Sequence, residues 1–158
     1  MSASNIPEEI DIHSLVPHSG AMSLLGRFLG ADAESLSAEV AITPGSMFCD
    51  DGRVGAWVGV EYMAQAVAAH AGWCARRRGE AVRVGFLLGT RKYVCGVPSF
   101  AAGSVLRIDV RRALQGENGL AAFDCRIEDT DDGTELATAT ITVFQPDHVE
   151  EFLQRSSE

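Results

Sequence analysis

The chain has 158 residues, with 13 Lys plus Arg against 22 Asp plus Glu and a net charge of −9 when its four histidines are neutral. That balance argues against nucleic acid as the main partner, because phosphate binding needs a positive field. A content of 46% hydrophobic and 22% charged residues excludes a disordered chain. Cys49, Cys74, Cys95 and Cys125 include no CxxC pair, so neither a zinc site nor a disulfide scaffold is expected, and a reduced cytoplasmic setting is. No HExxH, P-loop or GxGxxG motif is present, and neither metal nor cofactor is expected. Met1 to Ile10 lacks the basic and apolar regions of a signal peptide, and one domain over 1–158 is predicted.

Ile12 to Val16 predicts a short helix stopped by Pro17. Leu24 to Leu29 and Ser37 to Thr43 predict strands joined by an Asp32-Ala33-Glu34 turn. Thr43-Pro44-Gly45 and Asp50-Asp51-Gly52 are breakers ahead of a long apolar segment. Val54 to Cys74 is long enough to cross a bilayer, but Glu61, Gln65 and His70 interrupt it, and no membrane role is expected. It predicts a buried helix from Val54 to Arg78, with Arg76, Arg77 and Arg78 against the helix dipole and Gly79 just beyond its end. Strands follow at Val82 to Val94, Leu106 to Val110, Phe123 to Glu128 and Ala137 to Val143, alternating apolar with polar residues. A surface helix is predicted over Val149 to Arg155. Two strands, one slim helix rich in Gly and Ala and four more strands without intervening helices imply an α+β fold: a curled antiparallel sheet around a central helix.

Chemistry concentrates on that helix. Trp57, Glu61 and Gln65 stand one turn apart on one face. A carboxylate inside an apolar helix pairs, faces a cavity or stays protonated, and a protonated one can act as a general acid. The structural alternative is a carboxylate bonded to Gln65 or to an arginine of the sheet. His70 falls on the opposite face and reads as a core or interface residue, while His13 and His148 read as surface residues. Cys49 is expected to be structural, since Asp50 and Asp51 beside it disfavour a thiolate. Residues 76–112 hold nine basic and two acidic side chains, in contrast to acidic flanks. Arg76, Arg77, Arg78, Arg83, Arg91 and Lys92 of this stretch either attract an anionic partner or neutralise the acidic faces.

Gly59-Val60-Glu61-Tyr62-Met63-Ala64-Gln65-Ala66 resembles the "LEAMAQ" helix of the hotdog-fold β-hydroxyacyl-acyl-carrier-protein dehydratases, the FabA/FabZ group. Leu15-Val16-Pro17-His18-Ser19-Gly20-Ala21-Met22 with Leu24-Leu25-Gly26-Arg27 resembles that group's "LPHR-P-LLVDR" segment, and the likeness spans a core of about residues 12–145. The resemblance implies a dimeric hotdog domain that dehydrates a 3-hydroxyacyl thioester on acyl carrier protein, a step of fatty-acid or polyketide-type synthesis. Glu61 inherits the proton donor's role, the backbone amide of Ala56 that of the carbonyl-polarising donor, and Gln65 that of carboxylate support. Trp57, Met47 and Phe48 fall where the substrate is lined, and the basic stretch where an acidic carrier protein docks. One departure is chemical. The catalytic histidine of the group's "HFPG" motif, 14 residues before the carboxylate, falls on Met47, whose thioether is no base. The chain therefore resembles the divergent branch lacking that histidine, as in the accessory dehydratases of aryl polyene pathways. His18 is the histidine best placed to substitute. An incomplete subunit that binds the carrier protein or forms a heterodimer with an active dehydratase, and an acyl thioesterase, are the alternatives to a self-sufficient homodimer.

Overall fold

A computed structural model describes residues 10–15, 23–80 and 86–144. After a single 3₁₀ turn at Ile12–Leu15, β1 (Arg27–Ala31) and β2 (Ser35–Ala41) form a hairpin. β3 (Cys49–Asp50) and β4 (Arg53–Gly55) lead through a 3₁₀ turn at Ala56–Val58 into α1 (Gly59–Arg77). The remaining strands are β5 (Phe86–Cys95), β6 (Ser99–Ala101), β7 (Val105–Gln115), β8 (Leu120–Asp129) and β9 (Glu135–Phe144). Six strands make one antiparallel sheet in the order β1-β2-β7-β8-β9-β5, and β3, β4 and β6 make a small second one.

Register explains why the large sheet wraps the helix. Ala38 pairs with Ile108, Ile108 with Ile127 and Ile127 with Ala137; Leu36, Val110, Cys125 and Ala139 form the neighbouring row. Both rows are buried, while Asp109, Arg126 and Thr138 alternate onto the other face. The alanines in those rows make room for α1, which buries Met63, Ala66, Val67 and Ala69. Gly72 shows how close the packing is: a Cβ there would collide with the carbonyl of Leu15, so the N-terminal 3₁₀ turn can lie directly on the helix. At the far end Gly79 takes φ +72°, its amide bonds the carbonyl of Arg76 and that of Glu80 bonds Ala75, a Schellman ending.

The observed boundaries differ from several expectations. The helix begins at Gly59 because Val54 is already committed to β4, where it pairs with Cys49 and Phe100. The first hairpin is shifted toward its turn, since Asp32 Oδ1 accepts from the amides of Glu34 and Ser35 and starts β2 early. The expected surface helix at 149–155, the Pro17 stop, and the first residues of the Val82 strand lie outside the described residues. Among those described, no helix is long and apolar enough to cross a membrane.

Candidate active site

Glu61 stands half-buried in the first turn of α1, and Gln65, one turn on, is fully buried beneath it. Gln65 Nε2 donates to Glu61 Oε1 at 3.2 Å, while Gln65 Oε1 accepts the amide of Leu24 at 2.8 Å. One side chain therefore orients the carboxylate and fastens the segment before β1 to the helix. The Gln65 contact expected for a structural carboxylate and the support expected for a catalytic one are the same hydrogen bond.

A cleft of about 300 Å³ lined by Ser23, Leu24, Val40, Ser46, Met47 and Tyr62 among others includes neither Glu61 nor Gln65 in its walls and meets the pair through Leu24 and Tyr62. Met47 thus reaches a cavity that shares Leu24 with the Gln65–Glu61 bridge. Tyr62 is buried against Phe100, and burial pushes its phenol up to about 12, so it stays protonated and can only donate or pack. Ser23 Oγ lies 2.6 Å from Nδ1 of His13, which makes His13, exposed as expected, a neighbour of the cleft. Sequence reasoning missed Ser23 and Tyr62: Ser23 falls between the two stretches of the N-terminal motif, and Tyr62 lies inside the helix motif with nothing local to single it out.

Phe48 and Trp57 meet edge to face with ring centroids 5.2 Å apart. Both are exposed, Trp57 to 65%, so in the isolated chain they form a platform on the surface and not an enclosed wall. Phe48 holds φ +68°, an αL turn unusual for an aromatic residue, which turns its ring onto Trp57. The amide of Ala56 corrects an expectation: it donates to the carbonyl of Pro98 at 3.0 Å and is spent on joining the turn to the small sheet. The Ala56 carbonyl is held too, by the hydroxyl of Tyr93 at 2.5 Å.

The basic residues divide into two groups. Arg76, Arg77 and Arg78 are exposed at the C-terminal end of α1, about 24 Å along the axis from Glu61 at 1.5 Å per residue. Arg77 lies over the Trp73 ring, and Arg78 pairs with Glu80. Arg91 and Lys92 are exposed on β5, whose Tyr93 touches the turn before Glu61. His18 and Arg83 lie outside the described residues. Cys49 is half-buried in β3 and Cys125 is buried, its thiol pushed up to about 12 by that burial. Among the described residues no cluster of His, Cys, Asp and Glu could hold a metal ion.

Residues 10–154 match the ApeP-like family, described as ApeP dehydratase. The chain belongs to that family. The fold is the hotdog fold, as the comparison with solved structures shows. A chain of the dehydratase heterocomplex ApeI:P from Xenorhabdus doucetiae is 29% identical with TM-score 0.84, over 96% of this chain and 100% of that one. Zebra fish thioesterase superfamily member 2 shares 12% identity and TM-score 0.65, covering 85% of this chain and 92% of its own. A hypothetical thioesterase with coenzyme A from Streptococcus pneumoniae shares 14% and TM-score 0.59, covering 75% and 84%. At such identities the thioesterases share the fold alone. No curated protein sequence matches the chain. Membership of the ApeP family supports a dehydratase role.

Proposed function

We propose that this chain supplies the acid half of a dehydratase that converts a 3-hydroxyacyl thioester on acyl carrier protein to the 2-enoyl thioester, in aryl polyene synthesis, paired with a second hotdog dehydratase. The observation that carries the reading is the Gln65 bridge, which orients a half-buried carboxylate on α1 and, through Leu24, ties it to a cleft lined by Met47, the residue at the histidine position. In the reaction the C2–H bond breaks, its electrons form the C2=C3 double bond, and the C3 hydroxyl leaves as water with a proton from Glu61. Gln65 keeps that oxygen aimed at the leaving group. With the amide of Ala56 engaged, the next amide of the turn, that of Trp57, takes the role of polarising the thioester carbonyl.

Met47 cannot accept the C2 proton. Met47 therefore favours the reading in which the base comes from the partner chain, with His18 as the candidate within this one. The heterocomplex formed by the similar ApeI:P chain supports such pairing. Arg91 and Lys92, on the strand that reaches the helix start, are better placed than Arg76–Arg78 to receive an acidic carrier protein.

The test assays this chain alone, a histidine-bearing hotdog dehydratase with Glu61's counterpart removed, and the two mixed. Enoyl thioester is expected only from the mixture, and Glu61→Gln in this chain should abolish it. Turnover by this chain alone that His18→Ala removes would move the base into this chain. Full activity of the Glu61→Gln mixture would sink the reading, and release of free acid and thiol would make the protein a thioesterase.

A further inference from the structure

Among the described residues, four other than glycine take a positive φ: Phe48, Asp51 and Asn118 do so in turns, and Lys92, at +54°, inside a strand. A lysine there is disfavoured, because its Cβ crowds the backbone in the left-handed region. The pairing of β5 with β9 shows what the conformation achieves. Arg91 lies opposite Thr140 and Val94 opposite Thr138, so Lys92 and Tyr93 together face the single residue Ala139. That is a β-bulge with its first residue left-handed, a place usually taken by glycine. Before it Thr90 faces the buried Ile141, and after it Cys95 faces the buried Ala137. Thr90 to Cys95 is a step of five residues and Ile141 to Ala137 one of four, and the bulge absorbs the difference. Arg91 and Lys92 are accordingly exposed in succession, after which Tyr93 is half-buried, Val94 exposed and Cys95 half-buried. In an unbroken pleat running on from Thr90, Tyr93 would stand on the outer face and Val94 on the inner one.

We propose that Lys92 is a positioning residue: its left-handed backbone inserts the extra residue that aims the Tyr93 hydroxyl at the turn before Glu61. The inference rests on the dehydration reading above. The Tyr93 hydroxyl donates to the carbonyl of Ala56 at 2.5 Å and lies against Gly59, where a Cβ would collide with it. It therefore holds both ends of the turn that presents the amide of Trp57 and leads into α1. The Lys92 side chain lines a trough on the other face of the sheet, with Asp124, Glu135 and Thr140. Its positioning role is exercised by the backbone alone. Burial holds the Tyr93 phenol well above its usual range, as suits a ring kept on the inner face.

The chain has two tyrosines, so its phenols can be counted by spectrophotometric titration. In the wild type neither should ionise at the usual value of about 10. Lys92→Val, whose β-branched side chain resists the left-handed region, should release one phenol to that value, and Lys92→Gly should release none. Turnover by the mixed dehydratases at saturating partner should be roughly tenfold lower for Lys92→Val than for Lys92→Gly, the upper end for one hydrogen bond. Both variants lose the same charge, so any share of Lys92 in docking the carrier protein cancels in the comparison. The loss should lie in kcat, and Lys92→Val should lower it no further in Tyr93→Phe, because both act through one hydroxyl. Should Lys92→Val fail to fold, Lys92→Thr, also β-branched, takes its place. A wild-type phenol in the usual range, a β-branched variant with both phenols still raised, or Lys92→Gly no faster than that variant would overturn the proposal. A wild-type mixture that makes no enoyl thioester sinks the dehydration reading instead, and the titration still decides where Lys92 places Tyr93.

Discussion

Gln65 joins two tasks in one amide, and they can be separated. Its Oε1 satisfies the amide of Leu24, a structural bond, while its Nε2 orients Glu61. Gln65→Leu removes both and leaves the half-buried amide of Leu24 without this acceptor, so a loss of about 1–3 kcal/mol in urea unfolding is expected together with loss of dehydration. Gln65→Glu keeps an acceptor for Leu24 but sets a second carboxyl against Glu61, so stability should fall less while turnover falls as far. Equal turnover in the wild type and Gln65→Glu would show that the contact with Glu61 is only structural. The pair was readable from the sequence because i and i+4 share a helix face. The engagement of Ala56 was not, because its acceptor, Pro98, comes from a distant strand junction that no local pattern reports.

The same distinction governs the elements. The end of α1 was legible, since three arginines and Gly79 are local signals and the Schellman geometry follows from them. Its start was not: Val54 has the apolar character of the helix, and only pairing with Cys49 and Phe100 makes it a strand. The small sheet β3-β4-β6 was missed for that reason, because strands of two or three residues carry no period. His70 ties two elements together, its Nε2–H reaching from α1 to the carbonyl of Asp32 in the β1–β2 turn. Burial depresses its pKa below the ordinary 6.5, helped by the positive charge of Arg112 on β7; the Asp32 hydrogen bond and carboxylate oppose the shift. Below pH 6.5 the unfolded chain therefore binds a proton that the folded chain refuses. Stability should fall as pH drops through that value toward the folded pKa, and vary little on this account above it. Thermal unfolding from pH 7.5 to 5 is expected to show the decline, with a flatter curve for His70→Phe. Parallel curves would mean that another group sets the slope.

At the scale of the whole molecule, the order β1-β2-β7-β8-β9-β5 leaves β5 at one end of the large sheet, paired with β9 on one side. An edge of ten residues is a ready template for another chain unless charge or covering blocks it. Arg91 and Lys92 charge part of it, but Val94 is 64% exposed. That is a large apolar side chain beside Tyr93, whose hydroxyl holds the turn leading into Glu61. A partner seated along β5 would bury Val94 and, through Tyr93, bear on the backbone that presents the candidate site. Val94→Lys should consequently weaken association with the partner dehydratase in sedimentation velocity while leaving the circular dichroism of the isolated chain unchanged, because the native side chain makes its contacts outward. Tyr93→Phe should behave oppositely: association kept, the hydrogen bond to Ala56 lost, and turnover of the assembled pair reduced. Unaltered association in Val94→Lys would place the partner elsewhere than on β5. Unaltered turnover in Tyr93→Phe would show that the strand supports the fold but does not position the turn.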